Sequence, residues 1–270
     1  MITYPLNSFR LDGKTALVTG GAGILGQRFA NGLACAGARV AVVDINEVAA
    51  CEVATTIGPN AHGFRCDVSN PDSVQACVEE VVAYFGRIDI LHNNAATKTA
   101  DPRKFFTPFE EYSLEVWRDV MSVNIDGMFL MAQSVGRQLL SQGQGGVVIQ
   151  TSSIYGQVGP DPRVYEGSKY LGGSINTPAV YAASKAAVIG LTKWLATHWA
   201  KSGIRVNCLM PGGVSSGQNS TFSEHYSSRV PMGRMAKADE MVPALLYLAS
   251  DASSYVTGQV LAVDGGWTSW

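Results

Sequence analysis

Residues 15–26 read Thr15-Ala16-Leu17-Val18-Thr19-Gly20-Gly21-Ala22-Gly23-Ile24-Leu25-Gly26. The first five are short, apolar or β-branched without a break, as in a strand buried on both faces. Three glycines crowd into the next four positions, and a helical pattern runs on from 24 to 36. Strand, glycine-rich turn and helix in that order bring backbone N–H groups and a helix N-terminus against a phosphate-bearing ligand. Gly20, Gly23, Ile24, Leu25 and Gly26 are the candidate contacts, with Gly26 allowing the helix to lie close to the strand.

The same alternation continues along the chain. Strand-like runs rich in Val and Ile lie at 15–19, 39–44, 63–67, 88–93, 147–152, 204–210 and 260–264. Helical patterns occupy 24–36, 46–57, 71–85, 113–141, 179–201 and 237–250. This predicts an α/β chain built as one doubly wound parallel sheet of about seven strands with helices on both faces. Three stretches break the pattern: 97–112, 156–178 and 212–235. Long irregular segments are uncommon unless functional or disordered. All three follow strands expected to end on the ligand side of the sheet.

Composition narrows the class. The 270 residues are 46% hydrophobic and 16% charged, with a formal net charge of −2. Low hydrophobicity with high net charge, the signature of disorder, is absent. Nothing basic points to a nucleic acid partner. No run reaches the roughly 18 apolar residues of a membrane helix. Residues 1–10 lack the order of a signal peptide, so a cytoplasmic location is expected. The five cysteines form no CxxC pair and the four histidines no HExxH pair, so no disulfide framework and no metal site is expected.

Asp44 ends the second strand-like run, about 20 residues beyond the glycine turn, where an acid accepts hydrogen bonds from an adenosine ribose. The carboxylate would repel a 2′-phosphate, and no arginine directly follows it, which favours NAD over NADP. The plainer alternative is that Asp44 caps the next helix. From about Leu11 to Trp270 the chain resembles the short-chain dehydrogenase/reductase family, whose first-turn motif is TGxxxGxG. Here Ile24 replaces the central glycine. Further matches are Asp67-Val68 for the pair that brackets adenine, Asn93-Asn94-Ala95-Ala96 for the NNAG motif, and Pro211-Gly212-Gly213-Val214 for the loop near the nicotinamide amide. Asp67, Val68, Asn94, Ala95, Pro211, Gly212 and Val214 thereby join the candidate cofactor contacts. The resemblance implies a single Rossmann-type domain over 1–270 that carries two active-site insertions and a substrate loop. It also implies a homodimer or homotetramer, and Trp267 and Trp270 are expected to be buried between subunits.

The same resemblance implies catalytic Asn, Ser, Tyr and Lys. Asn124 matches the mid-helix asparagine, which anchors a water in a relay to the lysine; the alternative is an asparagine satisfied by backbone. Ser153 matches the serine, with Ser152 as the competing assignment. Tyr-x-x-x-Lys occurs twice, at Tyr165–Lys169 and Tyr181–Lys185. The first copy stands 12 residues beyond Ser153, the more usual distance, and the second 28. A four-residue spacing puts both side chains on one face only in a helix. The glycines and proline after Lys169 break a helix, whereas the residues after Lys185 continue one. Tyr181 and Lys185 are therefore chosen, which places an insertion around 159–177. They also contact the cofactor. An ammonium one turn away should lower the tyrosine pKa from its usual value near 10.

Function follows as hydride transfer between NAD(H) and a secondary alcohol or ketone. Cationic and hydroxyl-bearing side chains in the insertions (Lys98, Arg103, Lys104, Arg163, Tyr165, Lys169), with Arg229 and Arg234 in the third loop, suit a polar, sugar-like substrate; the plain alternative is solvated loop charge. Ser-Ser-Ile-Tyr-Gly, the inserted Tyr-Glu-Gly and the ending Gly-Gly-Trp-Thr-Ser-Trp resemble the subgroup linked to flagellin modification and nonulosonic-acid sugars. Competing readings are an NADPH-dependent ketone or acyl reductase and a catalytically silent NAD-binding scaffold. His92 and His198 are expected to be structural.

Overall fold

The computed structural model describes residues 6–99 and 101–270; residues 1–5 and 100 lie outside the described residues, and with them half of the stretch read for a signal peptide and one position of the 97–112 segment. In chain order the elements are β1 (Thr15–Thr19), α1 (Ile24–Cys35), β2 (Arg39–Asp44), α2 (Glu47–Ile57), β3 (Ala61–Arg65), α3 (Pro71–Phe85), β4 (Ile90–Asn93), α4 (Pro102–Phe105), α5 (Leu114–Met121), α6 (Gly127–Gln142), β5 (Gly146–Thr151), β6 (Lys169–Tyr170), β7 (Gly173–Ser174), α7 (Ala179–Trp199), β8 (Ile204–Pro211), α8 (Ser220–Arg229), α9 (Val242–Ala249) and β9 (Val260–Val263). Seven strands form one sheet in the order β3-β2-β1-β4-β5-β8-β9. Every neighbouring pair is parallel. This is the α/β Rossmann-type architecture.

The continuous apolar runs have a direct cause. Leu17, Ala41, Val43 and Leu91 pack on one face of the sheet with Val78, Met131, Leu195 and Trp199. Their chain neighbours Ala16, Val18, Val42 and Ile90 pack on the other face with Phe29, Leu33, Leu245 and Leu248. Both faces are dry, so alternation disappears from the sequence. The chain winds from β1 outward to β3 and then returns to the other side of β1 as β4. The crevice for a ligand opens where the winding reverses, at the carboxyl ends of β1 and β4.

Several boundaries differ from the sequence reading. The expected strand 63–67 is observed as β3 at Ala61–Arg65, so Asp67 lies beyond it. Its carboxylate there binds the Ser69 N–H at 3.0 Å and the Ser69 hydroxyl at 2.6 Å, turning the backbone out of the ladder. The expected helix 113–141 is interrupted by a π-helical turn over Ser122–Asp126 between α5 and α6. The expected helix 237–250 opens as a 3-10 turn over Ala238–Met241 before α9, whose second position is Pro243. Within 212–235, read as a polar loop, the structure forms α8. Only Tyr226 of α8 is buried, so no apolar period marks it, yet Asn219 caps it by accepting the Phe222 N–H at 2.8 Å. Trp267 corrects another expectation. It is 8% exposed within its own chain and stacks on Tyr226 at 4.4 Å, whereas Trp270 is 81% exposed.

Candidate active site

At the crevice, Gly20 adopts φ +61, and a Cβ there would come within 2.9 Å of Ala95 Cα. Thr19 fastens the two strand ends together. Its hydroxyl oxygen accepts the N–H groups of Asn94 at 2.9 Å and Ala95 at 3.0 Å, while Asn94 Nδ2 donates to the Thr19 carbonyl at 3.2 Å. α1 begins at Ile24 with Gly23 as N-cap, which supplies no side-chain acceptor. The first-turn N–H groups are therefore left for a ligand. Gly26 has no room for a side chain, because a Cβ would run into the Gly20 carbonyl.

Asp44 sits at the rim of this turn. It accepts the Ala22 N–H at 3.1 Å and the Asn46 N–H at 3.1 Å. Asn46, not Asp44, caps α2 by accepting the Ala49 N–H at 3.1 Å. Val68 packs on Gly127, the first residue of α6. Pro211 ends β8, Gly212 lies against the Asp264 backbone, and Val214 bridges to Ala236. An uncapped helix N-terminus beside a rim carboxylate is a donor and acceptor set that fits a pyrophosphate next to a ribose.

α7 brings Tyr181 and Lys185 together one turn apart. Lys185 Nζ lies 5.9 Å from the Tyr181 ring centroid and donates to the Thr151 carbonyl at 2.9 Å. Burial pulls the Lys185 ammonium down to about 8. The expected lowering of Tyr181 does not occur: burial raises its phenol and outweighs a hydrogen bond from Ser153 that lowers it. The lysine charge is aimed at the Thr151 carbonyl instead. Ser152 and Ser153 face different ways. The Ser152 hydroxyl donates to the Lys185 carbonyl at 2.7 Å and is buried behind α7. Ser153 faces Tyr181 and the cavity.

Asn124 lies in the π turn, fully buried. Its Oδ1 accepts the Thr97 N–H at 2.9 Å and its Nδ2 donates to Ser184 Oγ at 3.3 Å. The side chain thus ties the loop after β4 to α7. π turns of this kind concentrate at functional sites. His92 is enclosed, with Nε2 on Thr151 Oγ1 at 2.9 Å and its pKa pushed down to about 3 by burial. It stays neutral and outside the cavity.

The other Tyr-x-x-x-Lys copy is not helical. Tyr165 ends a 3-10 turn and Lys169 opens β6. Tyr165 donates to the Tyr155 hydroxyl at 3.1 Å and is bonded to Thr177. Burial pushes both tyrosines up. A cavity of about 630 Å³ opens above Ser153 and Tyr181, with Ile24 and Gly212 on its cofactor side and Tyr155, Tyr165, Asn176 and Phe222 among its walls. Of the cations singled out in the sequence, Arg163 and Arg229 are both paired with Asp161, and Arg234 with Glu240. Arg103 and Lys104 do not line the cavity; Lys98 and Lys169 do.

Residues 14–227 match the family model described as short chain dehydrogenase. The chain belongs to the short-chain dehydrogenase family. It is 38% identical to the D-threitol dehydrogenase of Mycolicibacterium smegmatis, over 96% of this chain and 95% of that one. A crystal structure of a gluconate 5-dehydrogenase from Burkholderia cenocepacia in complex with NADP and tartrate superposes with a TM-score of 0.86 at 36% identity, over 98% of this chain and 99% of that one. A short-chain dehydrogenase from Leptospira borgpetersenii with bound NAD+ superposes with a TM-score of 0.86 at 33% identity, over 99% and 97%.

Within this short-chain dehydrogenase, sequence reasoning overlooked Tyr155, Asn176, Thr177, Phe222 and Tyr226 in the cavity wall. Tyr226 accepts the Gly213 N–H at 2.6 Å and so braces the loop after β8. The available signal was the clustering of aromatic and amide residues in segments that break the strand–helix alternation. Ile24, standing for a motif glycine, heads α1 with its side chain 55% exposed toward the cavity.

Proposed function

We propose that the protein is an NAD-dependent dehydrogenase/reductase that interconverts a sugar-like secondary alcohol and its ketone. The carrying observation is the convergence of Ser153 and Tyr181 at the floor of a hydroxyl-lined cavity beside the glycine turn, with Lys185 one helical turn behind. Similarity to a threitol and a gluconate dehydrogenase supports a polyhydroxylated substrate. The similar structures hold NADP in one case and NAD+ in the other, so the choice of NAD rests on Asp44 at the rim of the turn. These similarities are to sugar and polyol dehydrogenases and do not show the flagellin-modification subgroup.

Bound NAD supplies the hydride acceptor. Asp44 binds the adenosine ribose, and the N–H groups from Ile24 onward meet the pyrophosphate. Asp67 and Val68 bracket the adenine, and Pro211 to Val214 border the nicotinamide. Ser153 donates a hydrogen bond to the substrate oxygen and stabilises charge developing there. Tyr181 takes the hydroxyl proton as the alcohol is oxidised and returns it in the reverse direction. Lys185, charged below about pH 8, holds the nicotinamide ribose, while the hydrogen bond from Ser153 is what favours the phenolate of Tyr181. Asn124 keeps the loop and α7 in register and anchors a water that accepts a proton from the Lys185 ammonium as Lys185 takes up the one released by Tyr181.

The test is NADH formation with NAD, and separately NADPH formation with NADP, across polyols, sugars, sugar acids, sugar phosphates and simple secondary alcohols. Turnover of a polyhydroxylated member with NAD, lost in Tyr181→Phe, is the expected result. Turnover of simple apolar alcohols alone overturns the sugar-like substrate. Turnover with NADP alone overturns the Asp44 argument.

A further inference from the structure

Lys98 and Lys169 are the charged groups lining the cavity, and no carboxylate accompanies them among its described lining residues. Neither lysine takes part in an ion pair among the described residues, in contrast to Arg163, Arg229 and Arg234. Each projects from an anchored backbone. Lys98 lies between Thr97, held by Asn124 Oδ1 at 2.9 Å, and Thr99, whose N–H is held by Thr97 Oγ1 at 3.0 Å. The Lys169 carbonyl accepts from Asn219 Nδ2 at 3.2 Å. The two loops that carry them are joined, because Asn176 Nδ2 donates to the Phe106 carbonyl at 3.3 Å and Phe106 meets Tyr170 edge-on at 6.1 Å. Asn176 Oδ1 is buried without a partner, the one such atom among the described residues that line the cavity.

We propose that this cavity selects a polyhydroxylated substrate with an anionic end group, a carboxylate or phosphate ester, bound between Lys98 and Lys169, while Asn176 Oδ1 accepts a substrate hydroxyl. This rests on the dehydrogenase reading above and adds the charge of the substrate to it. Two cations without an ion pair on a shared cavity, with no acid among its described lining residues, leave a positive field that a bound anion neutralises. A neutral polyol gains nothing from that field, whereas a substrate carboxylate or phosphate gains charge-assisted hydrogen bonds.

The experiment compares sorbitol, gluconate and sorbitol 6-phosphate at saturating NAD. These share a six-carbon polyhydroxylated chain and differ in end group, so the two anions separate carboxylate from phosphate. The expected result is a KM for at least one anion tenfold or more below that of sorbitol at low ionic strength, rising with added salt while the sorbitol KM does not. Lys98→Met and Lys169→Met should each raise the anion KM severalfold, with a smaller effect on kcat. The double variant should lose the preference for the anion, and Lys→Arg at both positions should restore it. NADH titration of each variant establishes that it is folded. Equal or better use of sorbitol, or a preference that survives the double variant, overturns the proposal and leaves the dehydrogenase reading standing. No turnover of any of the three overturns both.

Discussion

Tyr181 and Tyr165 are both half-buried and line the cavity, and each heads a Tyr-x-x-x-Lys string. Only Tyr181 has Ser153 beside it and a lysine on its own helix face; Tyr165 is engaged with Tyr155 and Thr177. Tyr181→Phe should therefore cut turnover by about 10²- to 10⁴-fold, the usual contribution of a general acid–base group, while NADH titration shows cofactor binding retained. Tyr165→Phe should raise KM with a smaller change in kcat; the reverse pattern in steady-state kinetics would transfer the catalytic role to Tyr165. Lys185 carries a stability cost. Its folded pKa of about 8 lies below the usual 10.5, so between those values the unfolded chain holds the proton more tightly. Stability thus rises as pH climbs through that window, and below pH 8 the fold bears the whole cost of an enclosed ammonium, about 3 kcal/mol. Lys185→Met loses the hydrogen bond to Thr151 yet should still raise the melting temperature at pH 7 while removing activity. A lower melting temperature by calorimetry would show that the bond outweighs the buried charge. At this scale the residue types were legible, but not their surroundings. The expected lowering of Tyr181 failed because burial and the aim of an ammonium depend on which carbonyl lies nearest.

Elements differ in how openly they are encoded. The sheet strands and α1, α2, α3 and α7 have long apolar runs or faces, and Asn46 and Asn70 announce the starts of α2 and α3 by accepting N–H groups at 3.1 and 3.0 Å. α8 has no such face, and the π turn between α5 and α6 leaves no periodic trace. Asn219 shows what α8 does for the site. It caps the helix, its Oδ1 accepts from Ser168 Oγ at 3.4 Å, and its Nδ2 holds the Lys169 carbonyl. Asn219→Ala should cost about 1 kcal/mol of stability from the lost cap and also raise substrate KM, since the inserted segment loses its tie to α8. A stability loss without any change in KM would mean that the segment is held by other contacts, such as the Arg229–Asp161 pair and the packing of Tyr165 on Phe222.

For the molecule as a whole, three irregular segments distant in sequence close over one cavity at the carboxyl edge of one sheet. No helix among the described residues is long and apolar enough to cross a membrane. Phe129, Leu140, Trp194 and Trp270 are exposed on the single chain, which supports the proposal of a homodimer or homotetramer that covers some of them. Light scattering at micromolar concentration should return two or four times the chain mass; a monomer would sink that proposal. By itself the sequence determined the architecture, because strands dry on both faces and a glycine turn before a helix leave patterns along the chain. It also determined which Tyr-x-x-x-Lys copy is helical, because glycine and proline end one and not the other. Only the tertiary structure decided that Ser153 rather than Ser152 faces the tyrosine and that Trp267 packs inside its own chain. It likewise decided that two lysines of the many cations reach the cavity. Those outcomes depend on side-chain direction and on partners far away in sequence, which local periodicity does not record.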